Sequence, residues 1–333
     1  MPEEMPEENV EKKKRKGCLG CSFPVTIGFV IIFLVLGVVS LLGGALGTKI
    51  IGGGEPLLPE WLTVTQPHPQ LPAEGLFNVF GITVTNTMLA SWVSIIVVVA
   101  LCFFATRKMK LVPKRLQMMV ESIINYLYTF CTDIAGEENG RKFFPIIATI
   151  FLFVIMNAWL SLIPGYGTIT YTNGEGEVMH LLRGANTDIN FPLAIAFISF
   201  FFVEFWGIKT LGVKSYFGKF INGRRFIAAH KKIFTGKFKQ GFGGLFYGFI
   251  DLFIGMLEGI SEVMRIVSFT FRLFGNMTGG EILLLMIVFL APFIMAIPFY
   301  GLELLVGFIQ ALIFAGLTLV FATIAMAPAH SEE

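Results

Sequence analysis

Six apolar runs, each long enough to cross a lipid bilayer, constrain this chain more than any other feature of its sequence. A helix needs about 20 apolar residues to traverse roughly 30 Å of hydrocarbon. The runs fall near residues 24–46, 84–105, 143–164, 190–208, 243–297 and 299–326. Backbone groups in hydrocarbon must be satisfied within their own segment, so each run reads as a helix. Charged residues make up only 14% of the 333, against about 25% in soluble domains, which rules out a pair of soluble domains. The expected class is an all-α integral membrane protein. The fifth run is too long for one upright span. It reads either as one steeply tilted helix or as a partial span followed by a full one, with Gly255, Gly259, Gly275, Pro292 and Pro298 as possible bend points.

The basic residues orient the spans. Five precede the first run (Lys12 to Lys16), seven lie between the second and third, and nine lie from Lys209 to Lys239, whereas the alternate connections hold only Lys49 and Arg183. The positive-inside rule then places both termini in the cytoplasm. The 209–239 stretch contains no Asp or Glu, and is read as an anchor attracted to anionic lipid headgroups rather than as a nucleic-acid site. The cluster Lys12 to Lys16 resembles the start of a signal peptide. However, the apolar stretch from Phe23 to Leu46 exceeds the usual core of about 7–15 residues, so an uncleaved anchor is expected. The domain reading is a charged cytoplasmic tail at 1–22, an additional transmembrane helix at 23–47, a proline-rich external linker at 48–82, and a membrane domain at 83–333. Within the last, residues 111–135 carry Leu116, Met119, Ile123, Leu127 and Phe130 at helical spacing, which suits an amphipathic helix in the cytoplasmic interface; the plainer reading is a loop helix packed on the bundle.

Charges inside the spans carry the functional signal. A charged side chain at the bilayer centre costs roughly 2.5–3.5 kcal/mol on insertion scales, so each one needs a reason. The fifth run holds Glu258, Glu262, Arg265, Arg272 and Glu281, with Ser261, Ser268 and Asn276. At about 100° per residue, Glu258, Ser261, Arg265, Ser268 and Asn276 all fall within about 40° of Arg272, forming one polar stripe, while Glu281 falls about 180° away. In the last run Glu303 and Gln310, seven residues apart, form a second stripe, roughly 10 Å long. Two stripes on two helices suggest a lined path. The structural alternative is that the arginines merely pair with the acids of their own helix. For Glu262 and Arg265 the two readings are evenly balanced, but pairing is weak for Arg272, which has no acid within four residues and calls for a partner outside the chain. Glu204 in the fourth run is explained by neither stripe.

Soluble chemistry finds no support. The chain has no phosphate-cradling Gly-x4-Gly-Lys loop, no zinc-ligand spacing and no nucleophile elbow, so no cofactor or metal is expected. Cys18 and Cys21 have CxxC spacing but lie beside the first span, and with Cys102 and Cys131 they are too few and scattered for a disulfide framework. The four histidines fall outside the spans, against a histidine proton relay. Two other readings remain open from the residues alone. One is a secondary proton or cation antiporter, with Arg272 paired to an acid of its own chain; the other is a membrane-embedded lipid enzyme, which would need a His or Asp cluster that the sequence lacks.

The run SFTFRLFGNMTGGE at 268–281 closely resembles subunit a of the rotary F-type ATP synthase. The resemblance extends to EGIS at 258–261, to Phe153 through Asn157, to IPG at 163–165, to TDIN at 187–190 and to QALIF at 310–314. It covers the chain from about residue 80 onward. The resemblance implies an interfacial helix, a helical hairpin and two long tilted helices beside a ring of c subunits. It also implies a non-catalytic stator subunit in the plasma membrane, coupling proton flow through two offset half-channels to rotation and ATP synthesis. Its implied partners are the c-ring, the b subunits of the peripheral stalk, the F1 ATPase head and the lipid bilayer. By resemblance Arg272 faces the ring carboxylate, with Asn276 and Gln310 as polar neighbours. Glu281 and Glu303 line the external half-channel, with Asn157 and Asp188 near it, and Glu258 and Ser261 belong to the cytoplasmic one. The chain departs from members that put histidine at the position of Glu281 or Glu303, or an acid at that of Leu160, so its external path would rest on carboxylates and water.

Overall fold

The computed structural model describes residues 23–50, 72–79, 81–172, 178–220 and 238–327, with Pro59, Val64, Gln66 and Pro67 besides. The tail at 1–22 with its CxxC pair, most of the linker at 48–82, and the basic stretch from 221 to 237 lie outside the described residues. Six helical stretches are long and apolar enough to cross a membrane: Thr26–Gly43, Asn86–Thr106, Arg115–Ser161, Asn190–Leu211, Phe246–Leu290 and Phe293–Met326. They match the six apolar runs of the sequence.

Two compact units divide the described chain. One combines residues up to 69 with 282–300, and the other combines 70–281 with 301–333. In the first, helix α1 (Phe23–Gly43) is followed by the short α2 (Ala45–Ile50). The α1 end packs on the turn near residue 293, where the Ser40 hydroxyl donates to the Pro292 carbonyl and Gly44 lies against the Leu290 carbonyl.

The second unit opens with a hairpin of β1 (Gly75–Val79) and β2 (Ile82–Thr85), paired antiparallel with Phe77 opposite Val84. The stretch read as an extended linker therefore ends in a two-stranded hairpin, turned at Gly81, whose φ of 84° suits glycine. Thr85 caps α3 (Asn86–Thr106) by accepting from the Met88 N–H. Helix α4 (Arg115–Ser161) carries both the amphipathic segment and the third span. Its two parts meet at Gly136, whose φ of 77° and ψ of 163° break the helix in a region that essentially only glycine occupies. Ahead of the break only Leu127, Cys131 and Ala135 are buried, while Leu116, Met119 and Ile123 stay exposed. The amphipathic helix thus packs on the rest of the chain through its last two turns.

A second small hairpin, β3 (Thr170–Thr172) with β4 (Val178–His180), precedes α5 (Asn190–Leu211) and α6 (Val213–Phe220). Helix α7 (Phe238–Leu290) is continuous over 53 residues, and α8 (Ile297–Met326) follows. The long fifth run is therefore one helix as far as Leu290, where it ends before Pro292; the glycines at 255, 259 and 275 do not interrupt it. Its candidate span Phe246–Leu290, 45 residues, measures about 68 Å at about 1.5 Å per residue, and would fit wholly within about 30 Å of hydrocarbon only at a tilt of about 65°.

The core of this unit joins the second half of α4, α5, α7 and α8 through Phe143, Val154, Val203, Leu273 and Leu319, all nearly or fully buried. Small residues allow the close approach, as is usual between membrane helices. A Cβ on Gly307 of α8 would meet the Ala158 methyl at 2.9 Å. Aromatic edges fill the remaining space, with the Phe269 and Phe314 rings 4.8 Å apart and Phe143 against Trp206 at 5.2 Å.

Candidate functional site

Arg272 sits at a seam on α7. Turning about 100° per residue, the exposed Ile260, Met264, Val267 and Phe271 centre about 110° to one side of it, and Glu262, Ile266, Phe269 and Leu273, buried or half-buried, about 90° to the other. The polar stripe runs between the two faces. Ser261, Ser268 and Asn276 are exposed along it and Glu258 is half-buried. The Arg272 guanidinium donates a long hydrogen bond of 3.5 Å to Ser268 Oγ and lies 5.8 Å from the Phe269 ring. Among the described residues no carboxylate lies within ion-pair distance of it. A guanidinium stays protonated at any physiological pH, so this side chain is a fixed cation held beside an exposed apolar surface.

Acids gather toward the C-terminal part of α7 and the N-terminal part of α8. Glu303 and Gln310 of α8 are buried at 6% and 9% exposure. The Glu303 carboxylate lies against Gly280 of α7, in the space a Cβ there would fill, beside Glu281 in sequence. Glu281 is ion-paired to Arg183 of the loop ahead of α5: Nη2 reaches Oε2 at 3.0 Å and Nε reaches Oε1 at 3.2 Å. Arg183 also donates to the Pro72 carbonyl at 3.2 Å. The same loop leads to Asp188, which accepts from the Thr87 hydroxyl at 3.0 Å and from the Asn190 N–H at 3.1 Å. Asn157, 2% exposed, accepts from the Ser94 hydroxyl at 2.8 Å and donates to the Phe153 carbonyl. Thr87 and Ser94 stand seven residues apart on one face of α3. The structure thus brings Glu303 to the α7 residue next to Glu281, and joins Asn157 and Asp188 through α3.

On the other side of Arg272, toward the N-terminal part of α7, Glu262 and Arg265 pair with each other, Nη1 to Oε2 at 2.8 Å and Nη2 to Oε1 at 3.0 Å. The Arg265 guanidinium also stacks 3.8 Å over the Phe321 ring of α8. The structural alternative therefore holds for this pair and not for Arg272. Glu204 acquires a partner: the Tyr216 phenol of α6 hydrogen-bonds to it. The chain turns back at Gly212, with a φ of 79°, and lays the Tyr216 ring on Gly207, where a Cβ would clash. Burial and the neighbouring Glu204 push the Tyr216 phenol well above its ordinary range, keeping it a neutral donor.

Sequence reasoning missed Thr87, Ser94, Arg183 and Tyr216. Hydroxyls within apolar runs carry no strong signal, and although Arg183 stands out as a rare charge of its connection and Glu204 as an unexplained acid of the fourth span, nothing in the sequence names their partners.

A family model, described as ATP synthase A chain, matches residues 88–323. The chain belongs to this family. Among its relatives is the ATP synthase subunit a of Helicobacter pylori strain P12, 31% identical over 231 residues, covering 68% of this chain and 85% of the relative. Another is the ATP synthase subunit a of Campylobacter curvus, 32% identical over 233 residues, 70% of this chain and 86% of that one. The matched region contains α7 and α8 up to Thr323 and every candidate residue of both stripes, while α1, the first hairpin and Asn86 with Thr87 precede it. No group of three or more His, Cys, Asp or Glu able to hold a metal occurs among the described residues.

Proposed function

We propose that this chain is the membrane stator of a rotary ATP synthase, carrying protons along two offset half-channels past a ring of c subunits. The observation that carries the reading is Arg272: a cation without a carboxylate partner among the described residues, set at the seam between the packed bundle and an exposed apolar face. Such a charge is stable in hydrocarbon when an acid from another chain faces it. At about 4 Å and an effective dielectric of about 20, attraction to a ring carboxylate amounts to about 4 kcal/mol, enough to hold an ionised acid and release a neutral one.

Protons enter from the external side along Glu303 and Glu281, with Gln310, Asn157 and Asp188 as polar support, and reach the ring carboxylate. Neutralised, that carboxylate rotates away through lipid. On its return Arg272, with Asn276 as its polar neighbour, favours the ionised form, and the proton leaves toward the cytoplasm past Ser261 and Glu258. Arginine cannot itself relay protons, so it also bars a direct leak, which would dissipate about 2.3 kcal/mol per proton per 100 mV. Both termini face the cytoplasm of a plasma membrane, following the loop charges. The ring, the b subunits of the peripheral stalk and the F1 head are the partners, and ATP chemistry resides in the head. The test is Arg272→Ala in the assembled complex. Loss of ATP synthesis and of ATP-driven pumping with the subunit retained is expected; normal ATP-driven pumping would sink the reading.

A further inference from the structure

Helix α7 carries two arginines on the same stripe, and among the described residues only one of them, Arg265, is paired with a carboxylate. Arg265 lies seven residues from Arg272, within about 20° of it around the axis and about 10 Å along it. At the tilt of about 65° that would fit the whole 45-residue span into about 30 Å of hydrocarbon, most of that separation is lateral, and the two cations differ in depth by only about 4 Å. A ring carboxylate travelling at constant depth would therefore meet both.

The structure treats the two side chains differently. Arg272 has the long contact to Ser268 and no carboxylate among the described residues. Arg265 is held by both oxygens of Glu262, at 2.8 and 3.0 Å, and is covered by the Phe321 ring at 3.8 Å; the paired side chains are only 16% and 12% exposed. Tyr216 closes the cluster, with its phenol given to Glu204 and with Glu262 and Arg265 close enough to act on it electrostatically. Glu204 is thus engaged from α6, leaving Glu262 as the counter-charge of Arg265.

We propose that Glu262, with Phe321, masks Arg265 so that Arg272 is the sole cation offered to the ring carboxylate, making Glu262 a specificity-determining residue and not a proton carrier. The proposal rests on the stator reading. Without the mask, an ionised ring carboxylate would find a second resting point beside the first, and an ion pair in a partly desolvated setting is slow to part.

The test uses the intact complex in inverted membrane vesicles, with ATP-driven acidification as readout and subunit content measured by immunoblot. Glu262→Gln is expected to slow pumping about five- to tenfold, the effect of one added ion-pair dwell. Arg265→Met keeps an apolar stem under Phe321 and removes the cation, so Glu262→Gln combined with Arg265→Met should recover to within about twofold of the parent. If Glu262→Gln alone fails to assemble, Arg265→Met compared with the double variant still decides: equal rates are expected, and a further fall in the double variant overturns the proposal. Undiminished pumping in Glu262→Gln, or a double variant as slow as Glu262→Gln, overturns it too. Each of these results leaves the Arg272→Ala test untouched, whereas pumping that survives Arg272→Ala sinks the stator reading itself.

Discussion

Gly280→Ala tests the placement of the Glu303 carboxylate with a single methyl group. A Cβ at Gly280 would occupy the space of the Glu303 carboxylate, and Glu303, buried at 6% exposure, has little room to yield. Overpacking of this kind costs about 1–3 kcal/mol. The same substitution gains about 1 kcal/mol of helix propensity, which leaves a net cost of about 0–2 kcal/mol, so a melting experiment reads the clash only in part. Proton transfer reads it more directly, because the displaced carboxylate no longer holds its place against Gly280. If the full cost falls on the transfer step, the rate drops roughly 5- to 150-fold. The assay is ATP-driven acidification of inverted vesicles, with assembled complex quantified alongside. Gly279→Ala is the control, since a Cβ at Gly279 meets nothing within 4 Å, and it should pump at the parental rate. Parental pumping in Gly280→Ala, or equal losses in both variants, would refute the reasoning.

Other outcomes are expected from the same structure. Glu281→Gln with Glu303→Gln should slow both synthesis and pumping at least about tenfold, the scale of a lost proton-transfer group, and unaltered rates in the double variant would remove both from the path. Tyr216→Phe strips the donor from Glu204 and should cost about 1–3 kcal/mol of stability, read as earlier thermal unfolding of the solubilised complex. Because the phenol is raised above its ordinary value in the fold, its contribution is fully present below about pH 10 and is lost as pH rises beyond; an alkaline loss undiminished in Tyr216→Phe would contradict this. Gly136→Ala forces a side chain into a glycine-only conformation at about 1–3 kcal/mol, and should lower the amount of assembled subunit on immunoblots.

The spans were legible in the sequence because the bilayer writes its thickness into apolar run length, and the Arg272 stripe because a helix sets neighbours at seven residues by local geometry alone. The continuity of α7 was not legible. Glycines at 255, 259 and 275 mark possible bends, and only packing decides whether a bend occurs; here the helix passes through all three. The break at Gly136 was equally hidden, since the apolar spacing continues up to it while the backbone turns. Long-range pairs escaped altogether. Arg183 meets Glu281 across 98 residues and Ser94 meets Asn157 across 63, distances over which no periodicity carries information. Tyr216 is only 12 residues from Glu204, but the reversal at Gly212 that joins them lies between two helices of different kind, one apolar and one basic.

The central claim is that Arg272 faces an acid of another chain. A photo-reactive residue at Asn276, exposed on the Arg272 stripe, tests it most directly in the native complex purified in mild detergent. Adducts with a small proteolipid subunit, absent when the same group replaces the buried Leu273, are predicted. Adducts with lipid alone, or with a second copy of this chain, would contradict the account and direct attention to an antiporter with an internal partner for Arg272.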